Sequence, residues 1–328
     1  MLLHPVFFFF LIFLFLSIIV LFSNTSWFIA WIALEVNMLS FIPIILKKKN
    51  KYTSESSLKY FLTQSVASLL MIISLSLLNC LNNQWLFMLM FVALVIKVGA
   101  APFHQWMPSL IEGMTWQTII FFLIIQKINP LILISFCPLE FNTTNILLLL
   151  VISFSAMFGS IGGLNQSSVR SIMAYSSISH MAWMLSAIYV FSPLWIFYYF
   201  TYSLIFFSVL SIFNNKEIYN LNHLLMKQKI TFFVFVLCLF SLGGLPPFSG
   251  FIPKLLVSLK LLTETHTFLF LFLLLSTFLS LFFYMRLIIT NALLYNSYNY
   301  FFFSNKNNNK FDFINLIIMM SPMIIFIL

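Results

Sequence analysis

The chain is short of charge. Asp, Glu, Lys and Arg together make up 7% of its 328 residues, whereas a soluble domain carries about 25%. That leaves too little polar surface to coat a water-facing body. Arginine occurs only at positions 170 and 286, and there are 8 glycines. Three cysteines, at 80, 137 and 238, lie far apart inside apolar runs with no CxxC and no metal-ligand spacing, so they read as inert buried thiols. A phosphate loop, a GxGxxG turn and an HExxH helix are all missing, which argues against nucleotide binding or hydrolysis within this chain. Collagenous, disordered and disulfide-stapled classes fall on the same composition. What is abundant is apolar: 62% of residues are hydrophobic and 43 are Phe. The composition describes an all-α polytopic membrane protein. Its richness in Phe, Ile, Leu, Asn, Lys and Met points to an A+T-rich genome.

A bilayer core needs about 20 apolar residues per helix, because every backbone N–H and C=O must bond within its own segment. Apolar runs between polar breaks predict eleven spans, near 3–22, 25–46, 58–79, 85–110, 116–136, 144–163, 169–190, 194–213, 230–264, 267–289 and 312–328. The fourth and ninth are too long and too interrupted to be single straight helices. The polar stretches 47–59, 214–229 and 291–311 read as loops. Nothing is left for a soluble domain, and no strong internal repeat is visible. Orientation follows from the basic loops. With 47–59 inside, Lys47, Lys48, Lys49, Lys51, Lys59, Arg170, Lys216, Lys227, Lys229, Arg286, Lys306 and Lys310 fall on that side and Lys260 alone on the other. The net charge of +9 is thus an orientation signal, not a nucleic-acid footprint. The amino terminus is expected inside, and the stretch beginning at Met1 reads as the first span and not as a removable targeting peptide.

Four ionisable residues fall well inside predicted spans: Glu35, Lys97, Lys127 and Lys254. Each costs about 2.5–3.5 kcal/mol at the bilayer centre, and the four together roughly 10 kcal/mol. They sit too deep to snorkel. Polar glue or a structural ion pair is one reading; a path for ions or protons is the other. Desolvation weakens an ammonium's hold on its proton and a nearby carboxylate strengthens it, so a lysine whose carboxylate partner moves is a switchable proton carrier. A bound Na⁺ or Ca²⁺ would want several oxygens around one ion, whereas the buried charges here are mostly cationic, which argues against a metal. All three lysines lie beside helix breakers: Gly99 and Pro102, Pro130, and the run from Gly243 to Pro253. Freed backbone at membrane depth is tolerated where it lines protein or a wet cavity, and such breaks mark ion sites in transporters. His104 and His180 are possible relay groups near neutral pH, packing histidines, or the axial ligands of a haem. Gly159 and Gly163 form a GxxxG packing signal.

Four long motifs carry a resemblance: WIALEVNMLSFIP from Trp31, KVGAAPFHQWMP from Lys97, GGLNQSSVRSIMAYSSISH from Gly162 and LGGLPPFSGFIPK from Leu242. They resemble the antiporter-like membrane-arm subunits of mitochondrial NADH–ubiquinone oxidoreductase (respiratory complex I), and the length and A+T bias are similar to insect forms. The resemblance implies a single antiporter-like domain over 1–328, shortened by three helices relative to fourteen-helix bacterial relatives built on two inverted five-helix repeats. It implies a proton-pumping subunit of an NADH:ubiquinone reductase in the mitochondrial inner membrane, with the amino terminus on the matrix side. Within it, Glu35 is the ion-pair partner of Lys97, Lys127 the central connecting lysine and Lys254 the distal lysine. NADH, flavin, iron–sulfur clusters and ubiquinone are expected in partner subunits of the membrane-arm assembly, with no cofactor in this chain. Left beside this reading are a free-standing cation/proton antiporter of the same fold, a haem-carrying cytochrome and a structural scaffold.

Overall fold

A computed structural model describes residues 5–47, 50–81, 84–137, 142–190, 193–216 and 229–299. Its elements are helices throughout: α1 (Pro5–Ser23), α2 (Trp27–Ile45), α3 (Lys51–Leu81), α4 (Gln84–Val98), α5 (Trp106–Ile111), α6 (Trp116–Phe136), α7 (Asn142–Leu164), α8 (Val169–Tyr189), α9 (Leu194–Lys216), α10 (Lys229–Gly243), α11 (Phe251–Thr263) and α12 (Thr267–Asn299). Helices occupy every expected segment up to residue 289, and the expected span 312–328 lies outside the described residues, as do the loop lysines Lys227, Lys306 and Lys310. Among the described residues six helices are long and apolar enough to cross a membrane, namely Trp27–Ile45, Lys51–Leu78, Trp116–Phe136, Thr143–Leu164, Leu194–Asn214 and Thr267–Leu293. Shorter apolar helices cover Phe7–Ser23, Trp85–Val98 and Ile230–Gly243.

The exterior inverts that of a soluble protein. Phe22, Phe200, Phe268, Phe282 and Leu293 are exposed, while Lys97, Lys127, Lys254, His104, His180 and a series of serines are buried. Apolar surface on that scale needs a non-aqueous neighbour.

Two expected loops are corrected. The stretch 47–59 is helical from Lys51, because Glu55 and Lys59 pair across one turn at 2.7 Å and the Thr53 hydroxyl accepts from Asn50 N–H at 3.1 Å at the helix start. The stretch from 291 continues α12 as far as Asn299. Polar composition ends the apolar run at these places without ending the backbone hydrogen bonding.

The chain divides into two compact units, Met1–Val151 and Ile152–Leu328. In the first, α2 packs on α1, α3 and α6, and α4 lies against α3 and α6. In the second, α8 packs on α9, α11 and α12, and α10 lies against α9 and α12. Helix α8 is too polar to score as a span, yet it is buried along almost its whole length. Its serines solve their own burial problem by donating to carbonyls one turn back: Ser176 to Met173 O at 2.8 Å, Ser177 to Ala174 O at 2.7 Å and Ser186 to Trp183 O at 2.8 Å. The GxxxG signal marks a real close approach, since a Cβ on Gly159 would lie 2.6 Å from the backbone N of Ser179 in α8.

The boundary between the units falls within α7, yet the element order repeats along the chain: α1 to α6 and α7 to α12 each run through three helices, a helix broken near its middle, and a further long helix. The breaks match in detail. Gly99 (φ 76) and Gly244 (φ 75) both close their helices in the left-handed conformation that favours glycine. The N–H groups of Gly99 and Ala100 converge on Val95 O, and those of Gly244 and Leu245 converge on Phe240 O. Helix restarts at Trp106 and Phe251 stand at the same spacing from the two glycines.

Candidate functional site

In the first unit Lys97 sits in the last turn of α4, where Gly99 turns the chain away and leaves the final carbonyls without helical donors. One of them is recovered from outside: Gln64 Nε2 of α3 donates to Lys97 O at 3.4 Å. The Lys97 side chain is 6% exposed and its Nζ has no hydrogen-bond partner among the described residues. Glu35, midway along α2, is half-buried, and its Oε1 is likewise without one. The expected pair is therefore brought into one unit but not into contact. Among the described residues Glu35 makes no ion pair.

A small cavity of about 20 Å³ opens beside Lys97, lined by polar groups from Asn37, Tyr60, Gln64 and Gln126. Tyr60 donates to Gln126 Oε1 at 3.1 Å, which fixes that amide. Lys127, the next residue on α6, is buried at 3% exposure. The break expected beside Lys127 is not found: α6 runs unbroken through Pro130, which only lacks an N–H to offer the Gln126 carbonyl. His104 is buried in the break between α4 and α5, where its carbonyl accepts from Met107 N–H at 3.0 Å.

In the second unit Lys254 lies in the first turn of α11 and reaches back across the break. Its ammonium donates to Gly243 O at 2.9 Å and Leu242 O at 3.2 Å. These are the last carbonyls of α10, the negative end of that helix's dipole. Glycine at 244 makes room, since a Cβ there would sit 2.6 Å from Lys254 Cδ and 2.9 Å from Nζ. His180 on α8 is buried, with Nδ1 2.9 Å from the Tyr198 hydroxyl of α9 and its ring against Tyr202 and Phe206. Helix α11 packs on α8, so the lysine and histidine helices of this unit are neighbours.

The first unit thus gathers Glu35, Lys97, Lys127 and His104, and the second Lys254 and His180. Asn37, Tyr60, Gln64 and Gln126 were not singled out from sequence, nor was Tyr198. The available signal was a neutral amide within two residues of a buried charge, as Asn37 is to Glu35 and Gln126 to Lys127.

The arrangement of broken helices, buried amines and an apolar exterior defines a class of membrane ion-translocating protein. The family model described as "NADH:quinone oxidoreductase/Mrp antiporter, TM" matches residues 24–280, and the chain belongs to that family. More particularly, it is 41% identical over 319 residues to NADH-ubiquinone oxidoreductase chain 2 of Anopheles gambiae, covering 94% of this chain and 92% of that one. It is 39% identical over 319 residues to the protein of the same name from Aedes aegypti, with 92% of each covered. The fold matches a chain of respiratory complex I from Thermus thermophilus with bound aureothin at a TM-score of 0.85 and 20% identity, covering 99% of this chain and 79% of that one. It also matches a chain of the Mrp complex from Dietzia sp. DQ12-45-1b at a TM-score of 0.75 and 17% identity, covering 84% and 58%. The resemblance carried by the four sequence motifs holds.

Proposed function

We propose that the chain is a proton-translocating, antiporter-like core subunit of the membrane arm of respiratory complex I. On this reading 1–328 is one antiporter-like domain that crosses the mitochondrial inner membrane about eleven times, with its amino terminus on the matrix side. It is bound by lipid and by other membrane-arm subunits, and nucleic acid has no place in its function. It acts within an NADH:ubiquinone reductase whose NADH, flavin, iron–sulfur and ubiquinone chemistry belongs to partner subunits.

The mechanism is electrostatic. When Glu35 is close, its charge holds the Lys97 ammonium protonated; when it withdraws, the dry surroundings favour proton release. The proton then passes through Lys127 to Lys254, with His104 and His180 as further relay groups. The single observation that supports this reading best is a buried Lys97 amine and a Glu35 carboxylate held in the same unit with neither paired among the described residues. A permanently locked ion pair would serve structure; a loose one is suited to switching.

The test is Lys97→Met in the assembled complex. Proton pumping linked to quinone reduction is expected to be lost, while NADH oxidation by an artificial acceptor continues. Undiminished pumping would remove the role. A free-standing antiporter predicts instead that the chain purifies alone and exchanges Na⁺ for protons in vesicles.

A further inference from the structure

Helix α2 carries two buried polar atoms with opposite needs, one turn apart. Trp31 Nε1 is a donor and Glu35 Oε1 an acceptor, and neither has a hydrogen-bond partner among the described residues. Residues four apart on a helix stand on the same stripe, and a long side chain leans back over the turn before its own Cα. Glu35 therefore leans over the turn that carries Trp31. The rest of that stripe supplies no competing donor: Phe28, Ile32 and Leu39 are apolar and exposed. On the other flank Leu34 and Met38 line the cavity beside Lys97. The carboxylate thus has two neighbours of different kinds, the amine's cavity to one side and the indole one turn before it. Trp27, at the start of α2, suits the bilayer interface, where an indole N–H meets water. Trp31 does not, because its N–H is buried a full turn further in. A phenylalanine would fill that place and leave no buried donor to satisfy.

We propose that the Trp31 indole is the resting seat of the Glu35 carboxylate, a positioning residue whose Nε1–H donates to the carboxylate when it leaves Lys97. The inference rests on the switching role proposed above for Glu35 and Lys97, and it gives that switch its second position. An indole is suited to this for two reasons. It donates and does not accept, so it orients one carboxylate oxygen without ambiguity. It carries no charge, so it supports the anion by hydrogen bonding alone and adds no cation to compete with the Lys97 amine. Because the seat is on the same helix, the move needs rotation of the Glu35 side chain between staggered rotamers and no displacement of α2. Phe28 braces the indole from the preceding turn, its ring 5.9 Å away and tilted by 31°. Without the seat, a withdrawn carboxylate would face only apolar neighbours on its own helix. It would then stay by the amine and hold the proton there.

The experiment is a double-mutant cycle in the assembled complex, joined to a map of the intact complex during turnover. Trp31→Phe keeps an aromatic ring and removes the N–H. Protons pumped per electron are expected to fall about fivefold, the net worth of one hydrogen bond. Trp31→Gln gives up the ring but restores an N–H, and is expected to recover most of the loss. A packing role predicts the reverse order. In a Glu35→Gln background Trp31→Phe is expected to add no further loss, since the two residues act as one unit. The map is expected to show Glu35 within hydrogen-bonding distance of Trp31 Nε1 in one population of complexes and beside Lys97 in another. Normal pumping by Trp31→Phe would overturn the proposal, as would a full additional loss in the Glu35→Gln background. So would a map in which no population joins Glu35 to Trp31, even if Trp31→Phe failed to assemble. Lys97→Met measured alongside separates the two readings. If it pumps normally the switching role falls; if it is inactive while Trp31→Phe is normal, only the seat falls.

Discussion

The two broken helices treat their lysines in opposite ways. In the first unit the lysine precedes the break, and its ammonium has no hydrogen-bond partner among the described residues. In the second the lysine follows the break and folds back onto the two carbonyls that end α10. Both breaks use the same backbone device, a left-handed glycine closing the first half-helix. The difference lies in which half carries the amine. A lysine before the break sits in the last turn of its own helix, beside a cavity lined by neutral amides. A lysine after the break meets the helix end directly, where about half a negative charge is fixed by the backbone. On the proposed function the first site is the one switched by a neighbour, while the second holds its amine on backbone carbonyls.

Changes at the glycines are expected to break this comparison most strongly. Gly244→Ala places a methyl against Lys254 Cδ and Nζ and adds about 1–2 kcal/mol of left-handed strain. It should dislodge the ammonium from the α10 carbonyls and cut pumping by an order of magnitude or more in whatever complex assembles. Gly99→Ala strikes Met107 at 2.5 Å and Trp106 at 3.2 Å, not the lysine. It should therefore lower the yield of assembled complex while the pumping per assembled complex stays near normal. Comparing yield with proton-to-electron ratio in the two variants checks the contrast.

Glu35→Gln is expected to have an intermediate effect, a several-fold fall in pumping with assembly intact, because it removes a charge that acts at a distance and breaks no contact. Complete loss of assembly in that variant would favour a structural role. The smallest effect is expected from Tyr198→Phe. It leaves His180 Nδ1 buried without its 2.9 Å partner, at a cost of about 1–3 kcal/mol. A lower melting temperature of the complex, with a modest loss of pumping, is the expected readout; an unchanged melting temperature would show that the His180–Tyr198 bond carries little.

Much of this was legible beforehand. Apolar runs located the helices, and Gly99, Pro102, Gly244 and Pro247 announced the two breaks because such residues cannot continue a regular hydrogen-bond ladder. The buried charges stood out because hydrocarbon makes them costly. Other features leave no comparable mark. The first turns of α3 and the last of α12 are polar and helical at once, so composition misplaced those ends. Helix α8 reads as weakly apolar, and only packing reveals it as an interior helix. The reach of Lys254 to Leu242 and Gly243 depends on the chain reversing at the break, which spacing along the sequence does not encode. The amides Asn37 and Gln126 carry no charge and so no penalty large enough to attract notice. The matching backbone turns at Gly99 and Gly244 carry no sequence mark beyond the glycines themselves.

The central claim is that the Lys97 amine gives up and regains a proton during turnover. Lys97→Arg tests it most directly, because a guanidinium keeps the buried positive charge yet does not deprotonate in proteins. The complex should assemble and pass electrons to an artificial acceptor, and proton pumping per electron should be lost. Assembly with wild-type pumping would mean that this amine never exchanges its proton, and the account would be contradicted.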